Sequence, residues 1–137
     1  GVALHVSETL HANLGDRYRI SPTMAAMVKE GVRNFYVKNE DGSYGPNPAA
    51  LALIHKGDSP STAEQVRSRA LTALAVEARM MLDEGVVSTA AEIDLCMLMG
   101  AGWPMHLGGI LPYLDREGIS EAACGQRFHP KGVASLP

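Results

Sequence analysis

Apolar residues recur along this chain at helical spacing, and glycine or proline interrupts nearly every run. Val2, Leu4, Val6, Leu10 and Leu14 fall near a 3.6-residue period, which predicts a helix over 2–14. Gly15 follows as a stop, since glycine past a last turn takes the left-handed conformation without penalty. Ser21-Pro22 opens a second helix with a capping hydroxyl and a first-turn proline; it runs through Met24, Met27 and Val28 to Gly31. Residues 34–38 are aromatic and β-branched, and Asp41-Gly42 is a tight-turn pair, so a short hairpin or extended segment is expected near 34–45. Such a hairpin is marginal alone and has to pack on helices. Asn47-Pro48 opens a helix expected over 48–56, and 57–61 reads as a loop.

The longest element follows. Ser61-Thr62-Ala63-Glu64 fits a capping box, in which serine and glutamate satisfy each other's free amides. The helix runs to about Glu84 and stops at Gly85, with Val66, Ala70, Leu74, Ala78 and Met81 as its apolar stripe and Leu71 and Leu82 beside it. The alanines leave room for a neighbouring helix. A second cap at Thr89-Ala90-Ala91-Glu92 starts a helix with an almost unbroken apolar run: Ile93, Leu95, Cys96, Met97, Leu98 and Met99. Another helix carries Ile110, Leu111, Tyr113 and Leu114, with Pro112 in its first turn and Gly118 at its end. The tail, 119–137, reads as weakly structured.

Between these two helices lies GAGWPMHLGG, residues 100–109. Four glycines and a proline rule out a regular helix there. Trp103, Met105 and Leu107 are too large and apolar for a merely solvated loop. The stretch is a buried helix–helix corner, where glycine allows close backbone approach, or a loop presenting backbone groups to a ligand. Spacing favours the corner, because GAG at 100–102 follows a helical run and has no third glycine, and so fails the test for a dinucleotide loop.

Composition narrows the function. At 137 residues, 46% hydrophobic and 20% charged, the chain is of ordinary globular type. A net charge of −3 argues against a nucleic-acid surface, which needs a basic stripe. No apolar run approaches the ~18 residues of a membrane span. Cys96 and Cys124 form neither a CxxC pair nor a zinc spacing, and Cys96 reads as a buried thiol, so a reducing, cytoplasmic compartment is expected. The histidines at 5, 11, 55, 106 and 129 form no HExxH, and no GxSxG elbow is present. No metal site or catalytic constellation is expected. The seven methionines read as core filler.

Two features suggest a piece of something longer. The chain opens on Gly1 with a helical pattern already running from residue 2. Gly15-Asp16-Arg17-Tyr18 is echoed by Gly125-Gln126-Arg127-Phe128, each after a helical segment and with proline soon following. This fits two tandem copies of one helical unit, the first being only its end.

Residues 66–115 resemble the C-terminal helical domain of 3-hydroxyacyl-CoA dehydrogenases, and most closely its second tandem copy in the multifunctional fatty-acid oxidation α-subunit. The motifs that carry it are LDEGVVSTAAEIDLCMLMGAGWP at 82–104 and GGILPYLDREG at 108–118. NFYVKNEDGSYGPNPAAL resembles the link between copies, and GDRYRISPTMAAMVKEG the end of the first copy.

The resemblance implies an all-α fold, a helical bundle like the C-terminal domain of 6-phosphogluconate dehydrogenase, with one short hairpin near 34–45. It divides the chain into the end of a preceding copy at 1–31, a connecting segment at 32–60 and a second unit at 61–137. It implies a parent enzyme that hydrates 2-enoyl-CoA and oxidises 3-hydroxyacyl-CoA with NAD, whose NAD-binding domain and catalytic His–Glu pair precede Gly1. The fragment would hold no NAD and no catalytic residue. It would pack on the NAD domain and the first copy, with self-association of the isolated piece expected. The interface candidates are Arg69, Gly100, Gly102, Trp103, Pro104, Gly108, Gly109, Tyr113 and Asp115. In the family's first copy an Asn-Arg pair frames the acyl-CoA site; here Arg69 matches but Ser68 stands where asparagine is expected, as fits a non-catalytic copy. The alternative is a free-standing acyl-CoA-binding or helical interaction module.

Overall fold

A computed structural model describes residues 1–55 and 57–133. The chain divides into two compact units, 1–60 and 61–137.

In the first unit, α1 (Val2–Leu14) is closed by Gly15, whose amide donates to the His11 carbonyl at positive φ. A 3₁₀ turn at Gly15–Arg17 follows. The His11 imidazole donates from Nδ1 to the carbonyls of Gly15 (3.1 Å) and Tyr18 (2.8 Å), tying this turn to its helix. Helix α2 (Pro22–Lys29) starts as its sequence demands, with the Ser21 hydroxyl accepting from the Met24 amide. Strands β1 (Tyr36–Lys38) and β2 (Tyr44–Pro46) pair antiparallel, Val37 opposite Gly45. The expected hairpin forms, turned at Gly42 with φ +84°.

Helix α3 (Pro48–Ala52) is shorter than the 48–56 its sequence suggests. Its apolar pattern continues, but the His55 amide donates to the Thr23 hydroxyl on α2 (3.1 Å), which draws the chain off the helical path. Residue 56, the expected end of that helix, and 134–137 of the tail lie outside the described residues. Among the described residues of this unit, Met27 and Ala50 are the buried apolar side chains.

The second unit is built on α4 (Ala63–Asp83). Its capping box forms one residue later than Ser61 and Glu64 suggest. Thr62 accepts from the Gln65 amide (3.2 Å), and the Gln65 side chain accepts from the Thr62 amide (2.8 Å). Both pairs have the right spacing, and the second is the one at the helix start. The buried stripe also differs. Leu71, Ala75 and Ala78 face the core, whereas Val66 and Leu74 are exposed. Ala75 is fully buried, and α4 packs against α7, so small side chains do let another helix approach.

Helix α5 (Ala90–Met99) buries Ile93 and Asp94. Thr89 precedes it without a side-chain cap; Glu92 instead accepts from the Ser88 amide (2.8 Å). Cys96 is exposed rather than buried, as are Leu95 and Met99. A helix packed on one side only cannot bury an apolar run that covers its whole circumference. After a 3₁₀ turn at Met105–Leu107 come α6 (Ile110–Arg116) and α7 (Ile119–Cys124), joined at Gly118 in the left-handed region. The start of the tail is thus helical, not loose, and Ile119, Ala123, Cys124 and Phe128 pack against the core formed by Leu71, Ala75, Ala78, Ile93, Ile110, Leu111 and Leu114. The whole chain is mainly helical, with a single hairpin among the described residues.

Candidate functional site

The polar residues that stand out in this core are two acids. Asp94 sits on α5 inside an apolar run, and Asp115 on the last turn of α6 is 2% exposed. A buried carboxylate is costly unless hydrogen bonds or opposite charge replace its lost water. Both are fully engaged.

Asp94 serves the start of α6. That helix is preceded by Gly109, which has no side chain to cap it. Asp94 Oδ1 accepts from the Leu111 amide (2.8 Å), so a carboxylate from the preceding helix satisfies one of the free first-turn donors. Pro112 needs no such partner, having no amide hydrogen. The other oxygen, Oδ2, accepts from His129 Nε2 (2.8 Å). A carboxylate only accepts, which fixes the imidazole tautomer at this contact.

Asp115 holds the segment after α7. Its Oδ1 accepts from the Ser120 hydroxyl and from the Phe128 amide (3.0 Å), and its Oδ2 from the His129 amide (2.9 Å). Arg127 donates to the Asp115 carbonyl (2.9 Å), and its guanidinium lies 3.9 Å from the carboxylate. Arg79 on α4 lies 4.7 Å over the Phe128 ring and donates to the Arg127 carbonyl (3.3 Å). His129 therefore touches both acids, Asp94 through its ring and Asp115 through its backbone.

The corner itself turns back on α5. The Gly100 amide donates to the Cys96 carbonyl (2.8 Å) and the Trp103 amide to the Met97 carbonyl (3.0 Å). A Cβ on Gly100 would stand 2.9 Å from the Cys96 carbonyl oxygen, so the turn demands glycine. Gly102 has φ +72°, and the carbonyl of Pro104 accepts from Leu107 in the 3₁₀ turn. Gly108 leads into Gly109, and the Arg116 guanidinium donates to the Leu107 carbonyl beside it. Trp103 and Tyr113 meet edge to face with centroids 5.4 Å apart. The Trp103 Nε1 is buried with no partner among the described residues.

Of the interface candidates, Gly100, Gly102, Trp103, Pro104, Gly108, Gly109, Tyr113 and Asp115 lie in or beside this junction. Arg69 does not join it and is exposed on α4. Arg67, two residues earlier, donates instead to the Tyr113 hydroxyl and to Glu117 (3.2 Å), and these bonds, Glu117 first, hold its basicity above the usual arginine value. Sequence reasoning missed Asp94, Ser120, Arg127 and His129. The available sign was an acid amid apolar neighbours, Ile93-Asp94-Leu95, which a solvated helix face does not explain.

Chemically, the arrangement clamps three helices and a tail. Among the described residues no cluster of three or more His, Cys, Asp or Glu could hold a metal ion, and no helix is long and apolar enough to cross a membrane.

No family model and no solved structure matches the chain. Curated proteins do. It is 27% identical over 135 residues to the peroxisomal fatty acid beta-oxidation multifunctional protein AIM1 of Arabidopsis thaliana, covering 86% of this chain and 19% of that protein. It is 27% identical over 120 residues to the fatty acid oxidation complex subunit alpha of Aliivibrio fischeri, covering 83% and 18%. The same subunit of Acinetobacter baylyi is 36% identical over 69 residues, covering 49% and 10%. The chain thus spans less than a fifth of the length of these relatives, and most of it is similar to a part of two multifunctional proteins of fatty acid β-oxidation.

Proposed function

We propose that this chain is the second C-terminal helical unit, with the end of the first, of an NAD-dependent 3-hydroxyacyl-CoA dehydrogenase that also hydrates enoyl-CoA, and that its own part in that enzyme is domain packing. The observation that carries the reading is the use made of Asp94 and Asp115. Both carboxylates are taken up by backbone amides and by the tail. The motifs that resemble the dehydrogenase family thus hold elements in place rather than offer a reactive group to a cleft.

On this reading the pieces are 1–31, the end of the first copy; 32–60, the link; and 61–137, the second copy. NAD binds elsewhere in the parent chain, whose substrate is an acyl-CoA. The NAD-binding domain and the first copy are the packing partners, and the candidates Arg69, Gly100, Gly102, Trp103, Pro104, Gly108, Gly109, Tyr113 and Asp115 shape or border the faces that meet them. The free thiols of Cys96 and Cys124 fit a reducing, cytoplasmic setting.

The test is direct. The purified chain, given 3-hydroxybutyryl-CoA and NAD, is expected to form no NADH, and titration with acetoacetyl-CoA to release no heat. NADH turnover by a clean preparation would overturn the assignment; heat and a raised melting temperature with acetoacetyl-CoA would turn it towards a ligand-binding module.

A further inference from the structure

We draw no further inference here: the strongest candidate, the apolar groove of the first unit between α1 and α2, lined by Leu4, Met24, Met27, Val28 and Val32 with Arg33 at its edge, carries nothing because nothing in the structure shows what covers it.

Discussion

Asp94 and Gly109 share one space. A Cβ built on Gly109 would lie 2.9 Å from the Asp94 Cβ and closer still to its carboxyl carbon. The missing side chain lets Asp94 come near enough to bond the Leu111 amide. Gly109→Ala should therefore push α5 and α6 apart. Overpacking of this kind costs about 1–3 kcal/mol. Urea unfolding of the variant should show a lower midpoint with little change in slope. An unchanged midpoint would mean that the two helices separate freely and that the contact is incidental.

The same acid separates two roles. Asp94→Ala leaves the Leu111 amide buried without an acceptor, a loss of about 1–3 kcal/mol. Asp94→Asn keeps an acceptor for that amide, and a neutral His129 can accept from the new side-chain amide. The asparagine variant should therefore be the more stable of the two in thermal melts. Equal losses would show that negative charge, not hydrogen bonding, is what α6 requires.

Asp115 is expected to hold the segment after α7. Without its carboxylate the amides of Phe128 and His129 and the Ser120 hydroxyl lose their common acceptor, while Arg127 keeps its bond to the residue 115 carbonyl. Leaving a buried donor without its acceptor costs about 1–3 kcal/mol. In Asp115→Ala, amide hydrogen exchange at Phe128 and His129 should quicken well before that of Leu71 and Ala75 on α4. If all four quicken together, the tail is part of a single cooperative core.

Some of this was legible in the sequence, and the division has a physical cause. Helix starts at Ser21-Pro22 and Asn47-Pro48 were readable because a cap is made within three residues of itself. The hairpin was readable for the same reason. The stripe on α4 was legible only towards its C-terminal end, where Ala78 is buried and Met81 packs on the core, because two apolar stripes lie side by side before it. The packing of α5, α6 and α7 on α4 decides that Leu71 and Ala75 are buried and that Val66 and Leu74 are not. The Asp94–His129 contact joins residues 35 apart, and nothing local announces it. Asp115 was singled out through its motif, but its work on residues 120, 128 and 129 needed the tail to fold back.

The hairpin turn carries a pH dependence of known sign. The Ser43 hydroxyl (2.6 Å) and then the Ser43 amide (2.9 Å) donate to Asp41 Oδ1, and they hold its pKa below the usual carboxylate value. A depressed folded pKa means that the stabilisation is fully present above the unfolded value of about 3.9 and is lost as pH falls through the lower folded value. A carboxyl-carbon NMR titration should place the Asp41 midpoint below the ordinary aspartate value of about 3.9. Ser43→Ala should raise it. A midpoint that ignores Ser43 would remove the turn from the account.

Leu95 and Met99 stand one helical turn apart on α5, 62% and 73% exposed, with the Cys96 thiol exposed beside them. Contiguous apolar surface is seldom left wet in a soluble protein. If this face belongs against another domain of a parent enzyme, the isolated chain should associate with itself through it. Sedimentation velocity should then show a weight-average mass that rises with concentration. Leu95→Glu combined with Met99→Glu should hold the protein monomeric. The same pair should leave the free energy of unfolding unchanged to within about 0.5 kcal/mol, because exposed side chains contribute little to the core they do not touch. Wild-type chain that stays monomeric throughout the range would show that the face needs no cover. A double variant that loses stability along with association would mean that these side chains are part of the fold.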